Sequence, residues 1–269
     1  MLLGLVQGVA EFLPISSSGH LSLAQHFMGL VQEDILFDVL LHLGTLVAVC
    51  VVYWKDIADM VRDFFRMIGD MFSKNRQPQR TESTRLVMLL VVATLPLFLV
   101  ILIQDHVKSL YGNTIFIGCA LLATGFILFF SDRMQKGKKT ARTATMTDAL
   151  LVGLSQAVAV VPGLSRSGTT ISVGMLCGFD RKFAVRFSFL MSIPAILGAG
   201  VLEVGDAIAV GIDPAMIPIY LAGMVVAAVS GFFAIKLVNL LAEKKKFGKF
   251  AYYCWAVGII AIAATLILG

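Results

Sequence analysis

Two stretches of the chain combine residues able to handle a phosphate. LGLVQGVAEFLPISSSGHLSLAQHF, Leu3 to Phe27, sets Gln7, Glu11, Ser16, Ser17, Ser18 and His20 between apolar flanks. VPGLSRSGTTIS, Val161 to Ser172, sets Ser165, Arg166, Ser167 and Thr170 in equally apolar surroundings. An ionisable side chain at bilayer depth costs at least ~2.5 kcal/mol, so such clusters mark functional sites by default. Gln7 and Glu11, four apart, share a helix face, and their oxygens suit a single ligand or a hard divalent cation such as Mg²⁺ or Ca²⁺. Ser16, Ser17, Ser18 and Gly19 form a polar turn opening a helix, where unpaired N–H groups and the helix dipole attract anions. The segment from Pro162 to Gly168 repeats that device and adds the guanidinium fork of Arg166, which matches phosphate geometry. His20 is placed to act as general base, general acid or nucleophile toward phosphorus.

Plainer roles exist for each residue. Glu11 and Arg166 can form a structural ion pair, the serines and glycines can serve close helix packing, and His20 can be a satisfied buried histidine. A buried ion pair is weak evidence of stability, so its retention here favours function. Asp38 and His42, four apart at the start of the next apolar segment, can orient His20 or the cation, or mark the membrane interface. Gln25, His26 and His106 receive no role.

Composition states what must position these residues. The chain is 58% hydrophobic, 14% charged and has a mean hydropathy of +0.88, values that exclude an ordinary soluble domain. Apolar runs at 35–54, 86–104, 114–131, 187–202, 216–235 and 250–268 approach the ~20 residues that cross a bilayer as a helix. Residues 1–14 and 15–28, separated by Pro14 and the serine turn, each make only ~21 Å of helix, too short to cross alone. They predict a re-entrant hairpin, tolerated at depth only against protein or a wet cavity. Residues 56–72 carry apolar positions at helical spacing and predict an amphipathic surface helix. Cys50, Cys119, Cys177 and Cys254 stand singly in apolar segments and read as packing residues. No basic region precedes the apolar start, so no removable signal peptide is expected.

The pattern then recurs. Gly153 to Ala159 repeats the order of Gly4 to Ala10, and Pro14, Ser16, Ser18 and Gly19 correspond to Pro162, Ser165, Ser167 and Gly168, a period of about 149 residues. With both hairpins re-entrant, each half crosses three times and the second half is inverted. Four loops then hold 20 of the 22 Lys and Arg residues on one side, as the positive-inside rule requires. The expected architecture is an all-α polytopic membrane protein: six transmembrane helices plus two re-entrant helix hairpins arranged as an inverted-topology repeat. Its halves, approximately 1–132 and 148–269, are joined by a basic cytoplasmic loop, and both termini face outward. The net charge of +5 is explained by this topology, so no nucleic-acid partner is expected. A homodimer is kept among the assemblies to consider.

Taken together, QGVAEFLPISSSGH (7–20) and PGLSRSGTT (162–170) resemble the two long motifs of the integral-membrane undecaprenyl-pyrophosphate phosphatases, also called bacitracin-resistance proteins, and the likeness extends over the whole chain. The resemblance implies hydrolysis of undecaprenyl diphosphate to the monophosphate, recycling the lipid carrier for cell-wall synthesis, at a bacterial inner-membrane site opening to the outer side. It implies that Gln7 and Glu11 serve metal and diphosphate, that Ser17 and His20 supply the nucleophile and its partner, and that Arg166 binds phosphate. Ser16, Ser18, Ser165, Ser167 and Thr170 complete the substrate-binding motifs. Position 7 is Gln where many members carry Glu, which removes one charge from a cation site. The competing class is a transporter or polyprenyl-phosphate flippase, because inverted repeats with broken helices are a transporter hallmark.

Overall fold

The computed structural model describes residues 1–29, 35–72, 81–134, 137–210, 214–244 and 247–268. The acidic linker with Glu33 and Asp34 lies outside them, as do Lys74, Arg76, Arg80, Lys136, Asp213, Lys245 and Lys246, and the Asp206 side chain.

Among the described residues the structure is helical throughout. Two short helices, α1 (Leu2–Phe12) and α2 (Ser17–Phe27), meet at the Pro14 turn, where Leu13 turns extended as a residue before proline must. Next come α3 (Ile35–Val52) and α4 (Trp54–Phe72), bent by 85° at Tyr53. Helix α5 (Glu82–Thr94) gives way at Pro96 to α6 (Leu97–Ile101), and α7 (Gln104–Ser109) leads into α8 (Thr114–Asp132). The second broken pair is α9 (Met146–Val158) and α10 (Arg166–Leu176). Then follow α11 (Arg181–Val210), α12 (Ile217–Lys244) and α13 (Gly248–Leu268).

Five helical segments are long and apolar enough to cross a membrane, and the bent α3–α4 pair makes a sixth when counted as one. The expected all-α polytopic membrane class is therefore the observed one. Exposure agrees with it: Val225, Val229, Phe233 and Leu237 form an outward stripe on α12, the face a lipid-embedded helix presents. The expected amphipathic helix is α4, with Val61, Phe64, Phe65 and Ile68 exposed beside Arg62 and Arg66.

Small residues let the hairpins come in close. Gly4 and Gly8 on α1 lie against the backbone of α12 at Gly223, Ala227 and Gly231, leaving no room for a Cβ. Phe12, Phe187, Phe189, Leu86 and Leu89 fill the interior between the halves, with Phe12 edge-on to Phe189 at 5.3 Å.

Polar groups gather at one end. Arg186 pairs with Asp56 (2.6 Å) and Glu82 (3.4 Å), Arg142 also reaches Glu82 (3.2 Å), Arg181 meets Asp132 (2.6 Å) and Lys182 meets Glu243 (2.9 Å). These contacts tie segments from all four basic loops together, so the four loops lie on the same side of the molecule. The basic loop between the halves is pinned as well. Lys139 bridges Phe179 through backbone bonds to Gly178 and Asp180, and its ammonium sits 2.8 Å from Asp148.

Candidate active site

The two hairpins meet turn to turn. Gly19, in the first turn of α2, abuts the backbone of Gly163, and a Cβ there would stand 3.0 Å from the Gly163 Cα. Gly163 has φ +91°, and a side chain on it would run into the Ile117 carbonyl oxygen at 2.6 Å. Only glycine meets both demands at that position. Across the same junction the Ser167 hydroxyl donates to the Leu13 carbonyl (3.3 Å).

Glu11, 7% exposed at the end of α1, is the hub. Arg166, first residue of α10, donates Nη2 to its Oε1. Gln7, one turn earlier on the same face, donates Nε2 to Oε2 (3.0 Å), and the Ser17 hydroxyl donates to that oxygen at 2.5 Å. His42, on α3, lies within electrostatic reach of the same carboxylate. The ion pair anticipated from the sequence is thus present, and it carries a serine hydroxyl with it.

The turn that presents that hydroxyl has an unusual backbone at the residue before it. Ser16, the N-cap of α2, sits at φ 72° and ψ 98°, the sole non-glycine residue with positive φ among those described. Such conformations cost about 1–3 kcal/mol and cluster at functional sites. Its side chain accepts from the Gly19 N–H (3.2 Å) and lies 3.4 Å from the Ser18 hydroxyl. By helix geometry the N–H groups of Ser17 and Ser18 have no acceptor within α2 and point out of its N-terminus.

In the second turn the hydroxyls are engaged within the protein. Ser165 caps α10 by accepting from the Gly168 N–H (3.0 Å) and lies 3.3 Å from Ser167. Thr170 donates to the Arg166 carbonyl (2.8 Å) and contacts Ser188 (2.6 Å). Thr124 braces this turn from α8, donating to the Gly163 carbonyl and accepting from the Ser165 N–H, both at 3.1 Å. The second motif therefore builds a rigid turn that aims Arg166 at Glu11.

His20 is oriented by neither Asp38 nor His42. Its Nδ1 lies 2.8 Å from the Ser16 carbonyl, and its Nε2 lies 2.9 Å from the phenol of Tyr253 on α13. Asp38 instead receives Gln25 (3.4 Å to each oxygen), and its carbonyl meets His42 Nδ1 (2.8 Å). Tyr253 was not legible beforehand: one tyrosine of FAYYCW in an apolar span carries no sequence signal for a histidine 233 residues away. The four cysteines are free; Cys254 is buried and Cys177 half-buried, while Cys50 and Cys119, read as packing residues, lie exposed on α3 and α8.

Gln7 Oε1 is buried with no hydrogen-bond partner, an orphaned hard oxygen beside a carboxylate. No group of three His, Cys, Asp or Glu residues able to hold a metal occurs among the described residues. A hard divalent cation held here would draw on Gln7 Oε1 and the Glu11 carboxylate and complete its shell with phosphate and water.

Fold and site together define an all-α integral-membrane protein with a buried polar cluster built where two broken-helix hairpins meet. Residues 1–260 match the family described as bacitracin resistance protein BacA, and the chain belongs to that family. It is 41% identical over 269 residues to an undecaprenyl-diphosphatase of Alkaliphilus metalliredigens, covering 99% of this chain and 98% of the relative. It is 38% identical over 273 residues to one of Methanosphaera stadtmanae (100% and 98% covered) and 41% identical over 271 residues to one of Methanobrevibacter smithii (99% and 96%).

Proposed function

We propose that this chain hydrolyses undecaprenyl diphosphate to undecaprenyl phosphate and inorganic phosphate, returning the lipid carrier to cell-wall synthesis and giving resistance to bacitracin. The observation that carries this reading is the Glu11 carboxylate, held by Arg166 from the opposite hairpin and bonded at 2.5 Å to the Ser17 hydroxyl. A nucleophile, a base and a phosphate-binding cation meet there at a helix N-terminus.

In this reading the prenyl chain stays in the bilayer while the diphosphate enters between the turns. The terminal phosphate is received by the Arg166 guanidinium and the first N–H groups of α2. Ser17 Oγ attacks the terminal phosphorus and its proton passes to Glu11. The bond from that phosphorus to the bridging oxygen breaks, and undecaprenyl phosphate departs with the electron pair. Water then attacks the phosphoserine, the phosphorus–Oγ bond breaks with its electron pair going to Oγ, Glu11 returns the proton to Ser17, and inorganic phosphate is released. His20, one turn from Ser17 on the same helix face, is the group suited to take the proton of that water. Ser16 and Ser18 shape the anion-binding turn, while Ser165, Ser167 and Thr170 hold Arg166 in place. Gln7 and Glu11 would hold a divalent cation, Mg²⁺ or Ca²⁺, whose chemistry is to neutralise charge on the two phosphates.

The halves, 1–132 and 148–269, are taken as an inverted repeat in the bacterial inner membrane. The end where the basic loops converge faces the cytoplasm, which puts the mouth of the first hairpin on the outer side. The test is phosphate release by the detergent-purified chain given a polyprenyl diphosphate and a divalent cation. Release with no membrane present is the expected result. No release, together with substrate-dependent transport in liposomes, would place the chain among carriers instead.

A further inference from the structure

The assignment that follows rests on the phosphatase reading. We propose that Tyr253 is the positioning residue that holds the ring orientation of His20, whose proton the Ser16 carbonyl keeps on Nδ1, so that Nε2 is the basic nitrogen presented to the reaction.

The two ring nitrogens of His20 have different partners. Nδ1 lies 2.8 Å from the backbone carbonyl of Ser16, and a carbonyl only accepts, so Nδ1 carries the proton. In the neutral ring Nε2 is then a lone pair. The atom facing it, 2.9 Å away, is the Tyr253 phenol, which donates. The rings are stacked with centroids 5.6 Å apart and planes 8° from parallel. Two opposed hydrogen bonds and one stacking contact leave the imidazole a single orientation.

The surrounding backbone makes this placement definite. Ser16 is the positive-φ N-cap, so its carbonyl direction is set by the turn itself. Cys254, next to Tyr253 and fully buried, contacts the Pro14 carbonyl at 3.7 Å and registers α13 against the same turn. Tyr253 is thus delivered to His20 by a helix distant in sequence. It is 43% exposed, so its phenol can swing aside when water or a phosphoryl oxygen comes to Nε2. Phenylalanine would satisfy packing alone; the Ser16 carbonyl selects the tautomer, and the Tyr253 hydroxyl holds the Nε2 lone pair in one direction.

The experiment uses the full chain labelled with ¹⁵N-histidine in detergent, at about pH 8 to keep imidazole neutral. His20 is identified among the four histidines by the signal lost in His20→Asn. The parent should show His20 as one tautomer with the proton on Nδ1. Tyr253→Phe should keep the proton on Nδ1 but move the Nε2 resonance to that of a lone pair with no donor, with kcat for undecaprenyl diphosphate lower by on the order of tenfold at little-changed KM, the scale of losing an outer partner of a working histidine. Tyr253→Ala, which also loses the stack, should fall further. A parent His20 protonated on Nε2 alone, or a Tyr253→Phe protein with parental spectrum and kcat, would overturn the assignment. A parent chain that releases no phosphate would sink the phosphatase reading instead, and the Nε2 resonance of parent and Tyr253→Phe would still decide the role of Tyr253.

Discussion

Arg166 and Glu11 stand 155 residues apart in the chain, on different hairpins, and form an ion pair where the two turns meet. Both are largely withdrawn from solvent, with side-chain exposures of 18% and 6%. Removing one partner leaves a buried charge unmatched, whereas removing both does not.

Arg166→Met and Glu11→Gln should each lower detergent-phase stability by about 3–5 kcal/mol. The double variant should recover much of that loss, and none of the three should release phosphate at more than a small fraction of the parental rate. Thermal melts read beside phosphate release check this. A double variant with near-parental turnover would show that the pair only holds the hairpins together.

Ser17 is expected to carry the phosphoryl group. Ser17→Ala should lower kcat by up to roughly 10⁶-fold, the scale of removing a serine nucleophile. Rapid quenching with labelled substrate should trap an acid-stable phosphoserine in the parent. An acid-labile, alkali-stable adduct that persists in Ser17→Ala would transfer the nucleophile's role to His20.

At the polar start of α9, Asp148 reports on the loop between the halves. Burial pushes its carboxyl up, but bonds from the Lys139 ammonium and from Thr145 pull it further down, so it ends below the usual carboxylate range. A carboxylate with a depressed folded-state pKa contributes stability that is complete above its unfolded value of about 3.9 and fades as pH falls through the lower folded value. Asp148→Asn should therefore be less stable than the parent at neutral pH, and the difference should shrink in acid. Melting curves from pH 7 to about pH 3 measure it; a constant difference across that range would contradict the linkage.

Topology can be read with single cysteines in a background where Cys50, Cys119, Cys177 and Cys254 are replaced. Ser109→Cys, the last residue of α7, should be labelled in intact cells by a membrane-impermeant maleimide. Thr143→Cys, in the basic loop, should react only after permeabilisation. Both positions are exposed, so burial does not confuse the comparison. The reverse pattern would invert the orientation.

Much was already determined by residue order. Hydropathy located the spans, because a helix must bury about 20 apolar residues to cross a bilayer. Pro14 and the serine turn ended α1 where the structure ends it, since proline removes a donor and restricts its neighbour. The Glu11–Arg166 contact could be anticipated because two opposite charges in an apolar chain have few other partners. Three things were settled by tertiary structure alone. One is that the Ser17 hydroxyl lies on Glu11, which depends on a backbone angle at Ser16 that serine does not ordinarily adopt. Another is that the hydroxyls of Ser165, Ser167 and Thr170 turn inward to brace the second turn. The last is that His20 meets Tyr253 rather than Asp38 or His42. Periodicity assigns a side chain to a face of its own helix, but which distant helix meets that face is decided by packing, through small residues such as Gly8, Gly19 and Gly163 that allow close approach.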